Sequence, residues 1–321
     1  MNRALKWAAA ATLLALATPG LAYDSRLHQQ LTFIAAKQYN RCAAELGARA
    51  LTPLQVRYVA KANVGQADDN FLRKLVRWNY YDRSSQSERS FMWLVDTRLH
   101  HHFNDLTREL GAETPDVAEA EAYAELGRVI SYLQDMTSPA HVVPVYYNRW
   151  WRLSLSDRFN GYRVNADAVD HVAQAMCSQV FDADAPSLGQ ILVSTADDTL
   201  AAVHGPIEGM PATWEAFWTF DADDSSWGEY GPAGNSFGKR TEFECGGRRC
   251  VLLDDDPLYR AFADDRQARA VLATMQAMHW LLVRSHPQTP TTQTAQQPNE
   301  PTPVAVGPPD APTTHAETPP P

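Results

Sequence analysis

The chain of 321 residues carries 38 Asp and Glu against 28 Lys and Arg, a formal net charge of −10, and 45% of it is hydrophobic. That balance argues against nucleic acid as a broad partner, because binding through phosphate attraction needs a basic surface. The length and apolar content suit one sizeable core; the N-terminal apolar run is too short and wrongly flanked for a membrane span, and no later run is long enough to cross a bilayer.

In chain order, MNRALKWAAAATLLALATPGLA places Arg3 and Lys6 before an apolar run from Trp7 to Ala17 and closes on Gly20-Leu21-Ala22. This is the layout of a secretory signal over residues 1–22. Cleavage after Ala22 makes Tyr23 the mature terminus and sends the protein to the periplasm or out of the cell. Ser25 is then placed to cap a helix carrying Leu27, Leu31, Ile34 and Ala35 at helical spacing. Thr52-Pro53 opens a second helix as cap and first-turn proline, with Leu54, Val56, Val59 and Ala60 behind it. Thr114-Pro115 does the same for a long helix running into LGRVISYLQD, which Pro139 is expected to stop.

Further helices are expected near Asp167–Phe181, Ser187–His204, Thr213–Phe220 and Pro257–Ser285. Ser225–Leu253 is Gly-rich and ends in the alternating TEFECGGRRCVLL, the pattern of a hairpin. The expected fold is therefore all-α, a multi-helix bundle over residues 23–286 with a small β-hairpin insertion. Residues 287–321 form a Pro/Thr-rich tract that buries too little surface to offset its ordering entropy, and they are read as a disordered tail.

Four cysteines in an exported chain favour two disulfides. Cys245-Gly-Gly-Arg-Arg-Cys250 is a loop that a local bridge can close, which leaves Cys42 to pair with Cys177. Candidate metal ligands are His28, Asp68, Asp69, the run His100-His101-His102, Asp135 and His141. Consecutive helical residues point about 100° apart, so at most two of the three adjacent histidines serve one site.

The stretch LGRVISYLQDMTSPAHVVPV (Leu126–Val145), with Asp135, Pro139 and His141 in order, resembles the core of the zinc-dependent phospholipase C family, whose fold is shared with single-strand-specific fungal nucleases. The resemblance implies a ligand set of the Tyr23 amine and carbonyl, His28, Asp69, His102 or His100, Asp135 and His141. Asp135 would bridge two metals, and Asp69, in GQADD, would also act catalytically by orienting or deprotonating water. The implied cofactor is zinc. The implied substrate is a phospholipid or another phosphodiester, with peripheral contact to a membrane surface. The aromatic-rich YYDRSSQSERSFMW and VYYNRWW would line a head-group pocket or belong to the core.

The chain also departs from that pattern. Ser131 stands where the family has a histidine four residues before the acid, and Ser156 and Asn160 stand where it has a His and a Glu. Asp157 is a neighbouring acid that would have to substitute. One or two zincs are thus expected rather than three. Two other readings stay open: a non-catalytic descendant that binds a lipid, a phosphate or a protein partner, and a nuclease or nucleotidase on the same scaffold.

Overall fold

The computed structural model describes residues 25–67, 81, 99–112, 119–143, 145, 157–181, 186–220 and 228–285. The expected signal segment, Thr114-Pro115 and the C-terminal tract lie outside these. The chain divides into two units at His286/Pro287, and every described residue belongs to the first.

The fold is helical with a small antiparallel β component, as expected. Helix α1 (Ser25–Leu46) buries Leu27, His28, Leu31, Thr32, Ala35, Tyr39 and Cys42 along one face. Helix α2 (Pro53–Ala67) starts on a capping box: Gln55 N–H donates to Thr52 Oγ1 at 3.3 Å, and Thr52 N–H donates to Gln55 Oε1 at 2.8 Å. Helices α3 (Leu99–Ala112) and α4 (Glu119–Asp135) come next, then the single turn α5 (Pro139–Val142). After these come α6 (Ala166–Gln174), α7 (Cys177–Val180), α8 (Leu188–His204) and the long α9 (Pro257–Ser285). Ser187 and Gln190 form a second capping box at the start of α8.

Two helices are central. From Val129 to Asp135 every residue of α4 is buried, and so is every residue of α9 from Ala270 to Met275. A helix buried all round must have neighbours all round. Helix α4 has α2, α3, α8 and α9 packed on it, and α9 also covers α1, α6 and α8. Arg266 of α9 is only 2% exposed and ties α8 down by an ion pair to Asp198 (2.8 Å) and a bond to Thr199 Oγ1 (3.2 Å), while its neighbour Asp265 on α9 pairs with the same guanidinium.

Strands β1 (Thr219–Phe220) and β2 (Gly228–Glu229) make one short ladder. Strands β3 (Thr241–Cys245) and β4 (Arg248–Leu252) make the expected hairpin, joined at Gly246-Gly247, with Thr241, Phe243 and Cys245 facing in. Both expected disulfides are present: Cys42–Cys177 with Cα atoms 5.5 Å apart, and Cys245–Cys250 at 5.9 Å.

Three expected helices are corrected. The segment Thr213–Phe220 is a 3-10 turn (Trp214–Ala216) running into β1, because the carbonyls of Ala216 and Phe217 are claimed from Ala233 and Gly231 and that of Glu215 by a side chain. Ala216 O accepts from Ala233 N–H (2.8 Å), Phe217 O from Gly231 N–H (3.2 Å) and Glu215 O from the Thr219 hydroxyl (2.7 Å). The segment Asp167–Phe181 splits into α6 and α7, where Ala175 and Met176 tighten to bonds three residues back and α7 carries Cys177 to Cys42. Pro139 does not stop α4, which ends at Asp135; it opens α5 from its first turn, the helical position that tolerates proline.

Candidate metal centre

Asp135 ends α4 in the middle of the core, and His28 meets it from the first turns of α1. Nε2 of His28 lies 3.3 Å from Oδ1 of Asp135, with His28 0% and Asp135 1% exposed. The other ring nitrogen is held as well: Nδ1 lies 2.6 Å from Oε1 of Gln134.

The orientation of Gln134 is set by its neighbours. Thr274 spends its hydroxyl proton on Ala270 O at 2.7 Å, so toward Gln134 it only accepts, and Nε2 of Gln134 is its donor at 3.1 Å. The same amide nitrogen donates to Thr32 Oγ1 at 3.1 Å. Oε1 is thereby turned to His28, where it also accepts from Asn63 Nδ2 at 3.1 Å. An oxygen that only accepts requires a proton on His28 Nδ1, so the neutral ring presents a lone pair at Nε2, toward the Asp135 carboxylate.

Two acceptors facing each other at that distance need a cation or a second ring proton between them. Zinc bound tetrahedrally at its usual 2.0–2.2 Å sets neighbouring ligand atoms about 3.3–3.5 Å apart. The observed separation fits that edge. A histidine whose far nitrogen is fixed by an amide oxygen is also the usual preparation of a metal ligand. Asn63 Oδ1 is a further buried oxygen in the same cluster with no hydrogen-bond partner among the described residues.

Gly127 makes this cluster geometrically possible. A Cβ there would stand 2.3 Å from Val59 O and 2.9 Å from Ala62 Cβ, so only glycine lets α2 approach α4 closely enough to deliver Asn63.

His141 lies on α5, 4% exposed, and the turn is tied back to α4 through Ser138 N–H to Asp135 O at 2.9 Å. Its own carbonyl accepts from Tyr81 N–H at 2.8 Å. Ser138 Oγ donates to Asn160 Oδ1 at 2.5 Å, so the segment that departs from the family pattern does adjoin the His141 turn, with an amide where a carboxylate was sought. Asp157 does not offer itself as the substitute. Its carboxylate accepts from Trp218 Nε1 (3.0 Å), Tyr230 OH (2.9 Å) and Phe159 N–H (2.9 Å), which engages both oxygens in holding the surrounding loops.

Of the other expected ligands, Tyr23 and Asp69 lie outside the described residues, and so do the side chains of His100, His101 and His102, which begin α3. Among the described residues no group of three His, Cys, Asp or Glu side chains converges at metal-binding range. The two aromatic stretches also lie outside, apart from Tyr81 and Val145. The aromatic cluster that is described, around Trp214, Phe217, Trp218, Phe237 and Phe262, is core.

Sequence reading missed Gln134, Thr32, Asn63 and Thr274. Each is a polar side chain on a helix face that proves buried and otherwise apolar, and it is that burial which marks it. Comparison with protein-family models, with curated proteins and with solved structures found no match for the chain. The disulfides fit an oxidising compartment, and no described helix is long and apolar enough to cross a membrane.

Proposed function

We propose that the protein is an exported zinc-dependent phosphodiester hydrolase of the phospholipase C type, with a reduced metal set and phospholipid as its substrate. The observation that supports this most is the His28–Asp135 pair, buried and 3.3 Å apart, with the imidazole locked by Gln134. In this reading the chain has the helical bundle of that family. His28 and Asp135 hold the metal together with the amine and carbonyl of Tyr23, which cleavage after Ala22 would create. Asp69 and His102 extend the set toward a second ion, and His141 is the ligand left for a third.

Bound zinc would supply Lewis acidity toward a phosphoryl oxygen and a water acidified for attack. The chain itself does the rest. Asp69 would orient the attacking water and take its proton, Asp135 would hold negative charge beside His28, and Gln134 would keep the His28 proton on Nδ1.

The Ser138–Asn160 bond favours a second reading, a non-catalytic descendant that keeps one structural zinc, because it engages the amide of Asn160, which stands where the family pattern puts a carboxylate ligand. The test is elemental analysis and turnover on signal-cleaved protein, with phosphatidylcholine and single-stranded DNA as alternative substrates. Zinc with phosphatidylcholine cleavage supports the proposal. Zinc without turnover of either substrate favours the second reading, and DNA cleavage alone reassigns the substrate to nucleic acid.

A further inference from the structure

A second polar feature lies apart from the His28–Asp135 cluster. A cavity of about 580 Å³ opens beside the 3-10 turn Phe159–Gly161 and is lined by Arg158, Arg163, Lys239 and Arg260, with Tyr162 and Asp255. In a chain with ten more acids than bases, four cations here face one carboxylate. None of the four makes an ion pair among the described residues, whereas Arg240, next to Lys239, is bonded to Glu242.

The walls are built rather than draped. Arg158 N–H is held by Asn235 Oδ1 (2.8 Å), Asp255 N–H by Gly238 O (3.2 Å), Lys239 O by the Tyr259 hydroxyl (3.0 Å) and Tyr162 O by Gln267 Nε2 (3.3 Å). Gly238 has φ +78°, and a Cβ there would meet the Tyr162 ring at 2.9 Å, so the loop lies directly on the phenol. Tyr162 in turn packs edge-on against Phe237, centroids 5.3 Å apart, which gives the cavity an aromatic floor. Burial beside Asp255 and Asp264 raises the phenol above its ordinary range, partly offset by Arg260, so it stays a donor at neutral pH.

Four like charges held in one concavity repel one another in the empty protein, and a dianion among them converts repulsion into attraction. Guanidinium groups suit phosphoryl oxygens because they donate in a planar fork. The volume is that of a small-ligand site. We propose that this cavity binds the phosphoryl group of a phosphomonoester, Arg163, Arg158 and Arg260 bonding its oxygens with Lys239 as an added point charge. A dianionic monoester answers the excess of cations better than a singly charged diester does. The same group occurs on a soluble sugar or glycerol phosphate and on a phosphatidic acid surface. None of the cavity's residues belongs to the metal cluster, so phosphate binding here is independent of zinc.

The test is calorimetric titration of the full mature chain with glycerol 3-phosphate, beside co-sedimentation with phosphatidylcholine vesicles with and without phosphatidic acid. Arg163→Ala combined with Lys239→Ala, both exposed positions, should weaken binding about tenfold or more. Asp255→Asn should tighten it, because it removes the carboxylate that lines the cavity, and Asn tolerates the φ of +49° found there. Arg41→Ala on α1 and Asp135→Asn should leave it unchanged. Binding of glycerol 3-phosphate with this pattern supports a soluble ligand. Binding confined to phosphatidic acid vesicles with the same pattern supports a lipid one. No binding of either, or binding that Asp135→Asn abolishes while the Arg163/Lys239 variant keeps it, overturns the proposal.

Discussion

Gln134 and His28 come from different helices, yet the amide oxygen of one and Nδ1 of the other lie 2.6 Å apart in a region closed to solvent. That bond fixes which nitrogen of the ring can act. Because Thr32 and Thr274 hold the amide from its other end, the choice is built into three helices at once.

Replacing Gln134 with Leu should therefore weaken zinc about 10-fold to 100-fold while His28 and Asp135 stay in place. It also strands Asn63 Nδ2 in the core, at about 1–3 kcal/mol of stability. Competition with a chelator of known affinity reads the first effect and urea unfolding the second. Undiminished zinc affinity would mean that His28 is not a ligand.

Gly127→Leu forces α2 away from α4, since even a Cβ lies 2.3 Å from Val59 O. The expected cost is about 1–3 kcal/mol or more, seen as a lowered Tm. If the variant folds, weaker zinc binding should accompany it, because Asn63 is drawn back from Gln134.

His279 packs against Phe181 at 4.6 Å between ring centroids, with its Nδ1 3.3 Å from Tyr39 OH. Burial lowers its pKa from 6.5. The unfolded chain then takes up a proton as pH falls through 6.5 while the folded chain does not, so this contribution to stability is complete above that value and declines below it. His279→Phe should flatten the dependence of Tm on pH between about 7 and 5 relative to the parent protein. Parallel curves would show that the ring does not titrate as described.

The Cys42–Cys177 bridge closes a loop of 135 residues between α1 and α7. Long loops gain most from closure, and replacing both cysteines with Ser should remove about 2–5 kcal/mol, measured as a shift in urea midpoint. The five-residue Cys245–Cys250 loop should matter less, because a hairpin already holds its ends.

Helix spacing, caps and cysteine arithmetic were enough to read α1, α2, α8, α9, the hairpin and both disulfides. They failed at Thr213–Phe220 because carbonyl partners from Gly231 and Ala233 are tertiary and leave no local trace. They failed at Asp167–Phe181 because the run is helical by composition and is broken where Cys177 must reach Cys42. His28 and Asp135 were legible as a pair only through the motif resemblance. Gln134 was not, since a lone Gln beside an acid looks like any solvated residue until α4 proves to be buried on every side. The cavity beside Tyr162 escaped reading for a similar reason: its four cations come from two segments far apart in the chain and a helix start.

The most direct test of the account is zinc-edge anomalous scattering from crystals of the signal-cleaved protein. It should give a peak about 2.0–2.2 Å from both His28 Nε2 and an Asp135 carboxylate oxygen. A map with no peak there, or with zinc only at sites remote from these two residues, would contradict it.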